Sequence, residues 1–124
     1  MAKILVVDDD ATLRALLAGT LKRAGYDVEQ AADGRQAVRA YRASPADLVL
    51  TDMFMPEMDG MEAIMMLRRE FPDVRIVVMS GGAYFGTSDI LEMAEQLGAA
   101  RTLAKPIESE DLLRAVEAVL REEG

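Results

Sequence analysis

The sequence predicts an α/β fold: a doubly wound, five-stranded parallel sheet covered by helices on both faces. Two observations carry that prediction. Five short apolar runs recur along the chain, and none alternates polar with apolar residues, which is the pattern of strands buried on both sides. Helical periodicity fills each interval and follows the last run, so strand and helix repeat five times. Parallel strands joined by right-handed crossovers then place helices on both faces. A chain of 124 residues, 51% hydrophobic and 29% charged, suits one globular domain, here read as a single unit over residues 1–124.

The elements follow in order. Residues 4–7 form the first apolar run, and Leu13, Leu16, Leu17, Leu21 and Ala24 make a helical stripe stopped by Gly25. That helix starts at Asp10 or Ala11, with Asp10 in a capping role. Residues 28–31 are a weaker strand, followed by Ala37, Val38 and Tyr41 in a helix that ends before Pro45. Residues 48–50 form the third run, and Ile64, Met65 and Leu67 lie in a helix that ends before Pro72. Residues 76–79 form the fourth, and Ile90, Leu91, Ala94 and Leu97 a helix stopped by Gly98. Residues 101–104 form the fifth. Leu112, Leu113, Val116, Val119 and Leu120 complete the pattern in a helix with Ser109 as N-cap. The nine methionines, including Met53, Met55, Met58, Met61, Met65 and Met66, are expected to fill the core and pack the loops.

Composition excludes several chemistries. The chain has no cysteine and no histidine, which rules out disulfides, thiolate or imidazole metal sites and histidine-based triads. A net charge of −8 repels polyanions, so no direct binding of nucleic acid is expected. The first apolar run is too short for a signal peptide or a spanning helix, which points to the cytoplasm and away from the membrane.

One common doubly wound strand order is 2-1-3-4-5, in which ligands bind at the carboxyl ends of the strands where the winding reverses. There this sequence places Asp8 and Asp9 after the first strand, Asp52 after the third, Ser80 after the fourth and Lys105 after the fifth. Two like charges about 4 Å apart repel by roughly 4 kcal/mol at an effective dielectric near 20. Three carboxylates at one rim therefore call for cations. Lys105 is one, and oxygen ligands alone suit Mg²⁺ or Mn²⁺ better than zinc. A carboxylate is also a feasible nucleophile toward phosphorus, and metal, lysine and hydroxyl are the groups that stabilise the transition state. Asp59 and Gly60 read as a turn and helix start.

At these residues, VVDDD, LTDMFMPEMDG, VVMSG and AKP, the chain resembles the receiver domain of two-component response regulators, chemotaxis-regulator-like in its extent. The resemblance implies a flavodoxin-like (βα)5 fold and in part supplies the 2-1-3-4-5 order. It implies that Asp52 is the phosphoacceptor, with Ser80 and Lys105 on phosphoryl oxygens beside the backbone N–H of Gly81. Mg²⁺ would be held by Asp9 directly, by Asp8 largely through water, by Asp52 and by the backbone carbonyl of Phe54. The Lys105-Pro106 bond would be cis. The donor would be a phosphohistidine on a sensor histidine kinase or histidine phosphotransfer protein. The domain would catalyse its own phosphorylation and slow dephosphorylation without being a turnover enzyme. Output to a protein target would use the fourth helix, fifth strand and fifth helix, roughly residues 90–97, 101–104 and 111–120. The chain ends just after the fifth helix, so it is expected either to act alone or to be a piece of a longer regulator.

Two positions depart from that pattern. Thr102 stands where many receivers carry an aromatic switch residue, so coupling would need movement of Ser80 and of the following loop, GGAYFGTSD, whose Tyr84 and Phe85 are expected to pack inward and one of which could substitute for the switch. Phe54 stands two after Asp52, where a large ring would hinder the attacking water. A rival reading is a haloacid dehalogenase-type phosphatase, because Asp8 to Thr12 fits D-x-D-x-T, with Asp8 as nucleophile and Asp10 as acid/base. It leaves Asp52 unexplained, and no G-D-x-x-x-D follows Lys105.

Overall fold

The apolar runs at 4–7, 48–50 and 76–79 form strands hydrophobic enough to be covered twice, whereas the runs at 28–31 and 101–104, also expected to be covered on both faces, are polar enough to lie at the sheet edges. The computed structural model describes residues 2–53, 60–81, 92 and 95–121. Within them the chain runs β1 (Lys3–Val7), α1 (Ala11–Arg23), β2 (Asp27–Ala31), α2 (Gly34–Ala43), β3 (Leu48–Asp52), α3 (Gly60–Glu70), β4 (Ile76–Gly81), β5 (Arg101–Lys105) and α4 (Ser109–Arg121). The five strands are all parallel, in the order β2-β1-β3-β4-β5. The expected fold class and strand order are thus present. The helix expected from Ile90, Leu91, Ala94 and Leu97 lies mostly outside the described residues, as do Phe54, Met55, Met58, Asp59, Tyr84 and Phe85.

Successive side chains of a strand point to opposite faces, and here both faces are core. On one, Leu5, Val7, Val49, Ile76 and Val78 pack with Ala37, Val38 and Tyr41 of α2 and Ala63, Ile64 and Leu67 of α3. On the other, Ile4, Val6, Leu48, Leu50, Val77 and Met79 pack with Leu17 and Leu21 of α1 and Leu112, Val116 and Val119 of α4. Each fully buried Val, Leu, Ile or Met among them contributes about 1.5–3 kcal/mol of transfer free energy. The three central strands β1, β3 and β4 are therefore the rigid base for whatever their carboxyl ends carry. The edge strands are half-exposed, with Asp27 and Gln30 of β2 and Arg101 and Ala104 of β5 facing water.

Helix ends follow local chemistry. Asp10 caps α1, its Oδ1 accepting from the backbone N–H of Thr12 at 3.0 Å and of Leu13 at 3.1 Å. Gly25 closes α1 at φ 100°, and the paired bonds Tyr26 N to Leu21 O at 3.1 Å and Gly25 N to Lys22 O at 3.0 Å form a Schellman motif. Asp33 caps α2 through Gln36 N at 2.8 Å, and Gln36 Oε1 accepts in return from Ala32 N at 3.0 Å.

Three expectations need correction. Leu16, placed in the buried stripe of α1, is 64% exposed, and Ala24 is exposed too, because the face that meets the sheet is narrower and centres on Leu17, Ala18 and Leu21. Met65 is 48% exposed, whereas Met53 is fully buried and Met61 and Met66 are only partly so. Ser109 is the first residue of α4, not its cap. Leu112 N donates to Glu108 O at 3.0 Å, so Glu108 holds the capping position. No helix among the described residues is long and apolar enough to cross a membrane.

Candidate functional site

The register of the central strands decides what meets at the rim. Val7 pairs with Thr51, so Asp8 and Asp52 leave adjacent strands side by side. Asp52 pairs with Met79, which brings Ser80 to the next position, and Gly81 pairs with Lys105. The five residues singled out in the sequence therefore share one end of the sheet.

Asp8 is fully buried and tightly held. Its Oδ1 accepts from Asp10 N at 2.9 Å and its Oδ2 from Lys105 Nζ at 2.9 Å. Its backbone N–H donates to Ala31 O at 3.2 Å. Lys105 Nζ also donates to Asp52 Oδ2 at 3.1 Å, so one ammonium bridges two carboxylates. Burial by itself lowers the Lys105 pKa, but its hydrogen bonds to Asp8 and Asp52 and their charges outweigh that and raise it overall. Lys105 is therefore charged throughout the neutral range. The Lys105-Pro106 bond is cis.

Carboxylate oxygens of Asp8, Asp9 and Asp52 lie within 4.8 Å of one another. Asp9 is exposed where the other two are buried. Three negative charges against one ammonium leave two uncompensated, and at 4.8 Å each like-charged pair repels by about 3 kcal/mol. An all-oxygen set with that residual charge, open to water on the Asp9 side, fits a hydrated divalent ion such as Mg²⁺. Ser80 Oγ is buried and, among the described residues, has no hydrogen-bond partner. A hydroxyl left unmade at that depth suits an incoming oxygen-rich group.

Two further residues shape the rim: Gly60, expected only as part of a turn and helix start, and Arg14, which sequence reasoning did not single out. Gly60 opens α3 against the end of β3. A Cβ placed on it would lie 2.0 Å from Asp52 O, 2.8 Å from Met53 Cα and 2.9 Å from Asp52 C. Gly60 N donates to Met53 O at 3.0 Å, and Thr51 Oγ1 donates to the same crowded Asp52 O at 2.9 Å. A glycine opening an apolar helical stripe was the available signal, since helices otherwise disfavour it. Arg14 reaches from α1 to the Asp8 carbonyl, and no sequence signal marks that contact.

The geometry does not support the phosphatase reading. Asp10 is exposed, and its carboxylate is engaged in capping α1, so it is not placed as an acid/base for Asp8. Phe54 lies outside the described residues, so its carbonyl is not placed.

Comparison with known proteins agrees with the receiver arrangement. The family model for the response regulator receiver domain matches residues 4–117. Sporulation initiation phosphotransferase F of Bacillus subtilis is 35% identical over 118 residues, covering 95% of this chain and 93% of that protein. The probable transcriptional regulator ycf27 of Porphyridium aerugineum is 38% identical over 119 residues, 96% of this chain but 48% of that protein. Among solved structures, chemotaxis protein CheY4 of Vibrio cholerae superposes with a TM-score of 0.86 at 32% identity, covering 96% of this chain and 98% of that one.

Proposed function

The chain belongs to the response regulator receiver domains of two-component signalling, phosphoryl-accepting switches, and from that membership we propose that Asp52 is the side chain that takes the phosphoryl group. The observation that carries this reading is the Lys105 bridge between Asp8 and Asp52, set beside the buried Ser80 hydroxyl, which has no partner among the described residues. Receiver domains use Mg²⁺ at an acidic pocket. Here Asp8, Asp9 and Asp52, with the carbonyl of Phe54, would hold it. Bound there, the ion supplies the positive charge that offsets the phosphoryl oxygens.

The residues of the chain do the rest. An Asp52 oxygen attacks phosphorus, forming an acyl phosphate as the P–N bond of a phosphohistidine on the partner breaks; the imidazole nitrogen leaves with the bonding pair and takes up a proton. Lys105 is held at the reacting carboxylate and is charged, so it stabilises negative charge on an equatorial oxygen without reorganisation. Ser80 Oγ, which has no hydrogen-bond partner among the described residues, donates to a second phosphoryl oxygen. Asp8 keeps Lys105 aligned from the opposite side.

Receiver domains exchange contacts with histidine kinases or phosphotransfer proteins and with downstream effectors. For this chain the donor is a sensor histidine kinase or histidine phosphotransfer protein. The output face includes β5 and α4, where Arg101, Thr102, Leu103, Ile107 and Arg114 line a groove of about 320 Å³. Incubation with acetyl phosphate followed by intact-mass measurement tests the assignment. Wild type with Mg²⁺ should gain one phosphoryl group, and wild type without Mg²⁺ and Asp52→Asn should not. An adduct of equal yield in Asp52→Asn, or phosphatase turnover surviving Asp52→Ala, would overturn it.

A further inference from the structure

We propose that Arg14 is a positioning residue for the cation site, acting through the peptide between Asp8 and Asp9; this rests on the reading of the acidic rim as a Mg²⁺ site. Arg14 Nη1 donates to the Asp8 carbonyl oxygen at 2.7 Å, while its Nε donates to Gln30 Oε1 at 3.1 Å. The two bonds use different nitrogens of one rigid, planar fork, so the guanidinium is fixed in direction as well as position. Gln30 belongs to β2, and Arg14 N donates to Asp10 O at 2.9 Å. The clamp therefore ties the loop after β1 both to the neighbouring strand and to the helix that follows.

The three acidic residues differ in what orients them. Asp8 and Asp52 have carboxylates held by Lys105. Asp9 is exposed, and among the described residues no hydrogen bond holds its carboxylate. What aims it is its backbone. The Asp8 carbonyl and the Asp9 N–H belong to one planar unit, so a donor on that carbonyl fixes the plane from which the Asp9 side chain departs. Arg14 is that donor. Groups that orient a ligand from outside the coordination shell typically change metal affinity by 10- to 100-fold when removed.

The test uses Mn²⁺ alone, titrated against the intact domain and read by the electron spin resonance of the free ion. Arg14→Gln should weaken binding on the order of tenfold. Arg14→Lys should weaken it nearly as much, since lysine keeps the charge but not the fork. Gln30→Ala, at an exposed site that does not endanger folding, should weaken it less and should add nothing in the Arg14→Gln background. With acetyl phosphate, Arg14→Gln should need more Mg²⁺ for half-maximal rate yet approach the wild-type rate at saturation. Full affinity in Arg14→Lys would show that charge alone matters and would overturn the proposal, as would independent, additive effects of Arg14 and Gln30. Affinity lost in Asp9→Asn but retained in Arg14→Gln overturns this proposal alone. A wild type that binds no Mn²⁺ overturns it together with the metal-site reading.

Discussion

Replacing Gly60 by alanine adds one methyl group where the structure leaves no room for it. The new Cβ would stand 2.0 Å from Asp52 O, and side-chain Cβ atoms essentially never come closer than 3.0 Å to such a neighbour, so something must move by at least 1.0 Å. All three nearest atoms are backbone of Asp52 and Met53, so no rotamer change relieves the clash. Either α3 lifts off the sheet, loosening Ala63, Ile64 and Leu67, or the end of β3 is pushed aside. Overpacking of this kind costs about 1–3 kcal/mol, and alanine's better helix propensity returns at most about 1 kcal/mol. The net loss, between about 0 and 3 kcal/mol, lowers Tm by up to roughly 15 °C for a domain of this size. The chemistry suffers more, because a shift of about 1 Å at a reacting group can slow a reaction roughly 100-fold. The assay is a urea melt alongside the acetyl phosphate rate at saturating Mg²⁺. A Gly60→Ala protein with wild-type midpoint and wild-type rate would refute the argument from contact distance.

Lys105→Met should destabilise the metal-free domain by about 2–3 kcal/mol, somewhat under the loss for a wholly buried pair because the side chain is 21% exposed. Its folded pKa is raised above the ordinary 10.5, so its contribution is complete below that value and fades as pH climbs through the raised one. Urea midpoints should therefore keep a constant gap from wild type between neutral and mildly alkaline pH, and a gap already closing there would contradict the bridge. Ser80→Ala should stabilise the unphosphorylated domain by about 1 kcal/mol, by removing a buried hydroxyl with no partner among the described residues, while slowing phosphorylation roughly 100-fold. A clear loss of stability on that change would mean the hydroxyl has a partner after all. Leu17→Ala, at a site 4% exposed, should cost about 2–5 kcal/mol, whereas Leu16→Ala, at 64%, should change stability by under about 0.5 kcal/mol. Equal losses by denaturant melt would restore Leu16 to the buried stripe. Phe54→Asn should shorten the lifetime of the phosphorylated protein, and a half-life equal to or longer than wild type's would remove the ring as a shield.

The sheet was legible because its strands are apolar runs such as ILVV, which only a doubly covered position explains. The rim was legible for a related reason: once the strands are ordered, their last residues are neighbours, whatever the loops do. What sequence could not give is depth and close approach. Periodicity put Leu16 on the helical stripe but says nothing of how wide a band the sheet covers. Gly60 was expected at a turn and helix start and does open α3, but its close approach to the Asp52 carbonyl exists only after α3 docks. Arg14 looked like any first-turn arginine because its partners are a carbonyl behind it and Gln30 on another strand. Ser109 has the better capping side chain, but the backbone is already helical there, one position later than the cap.

The ammonium that joins Asp8 and Asp52 comes from a residue 97 positions after the first of them. During synthesis β1 and β3 leave the ribosome long before β5, so the two acids can come together with no cation from the chain between them. A product cut short before residue 105 would lack both this ammonium and α4, whose Leu112, Val116 and Val119 cover one face of the sheet. The same tie links the first strand to the last: it is β5, the last strand made, that brings the ammonium to both acids.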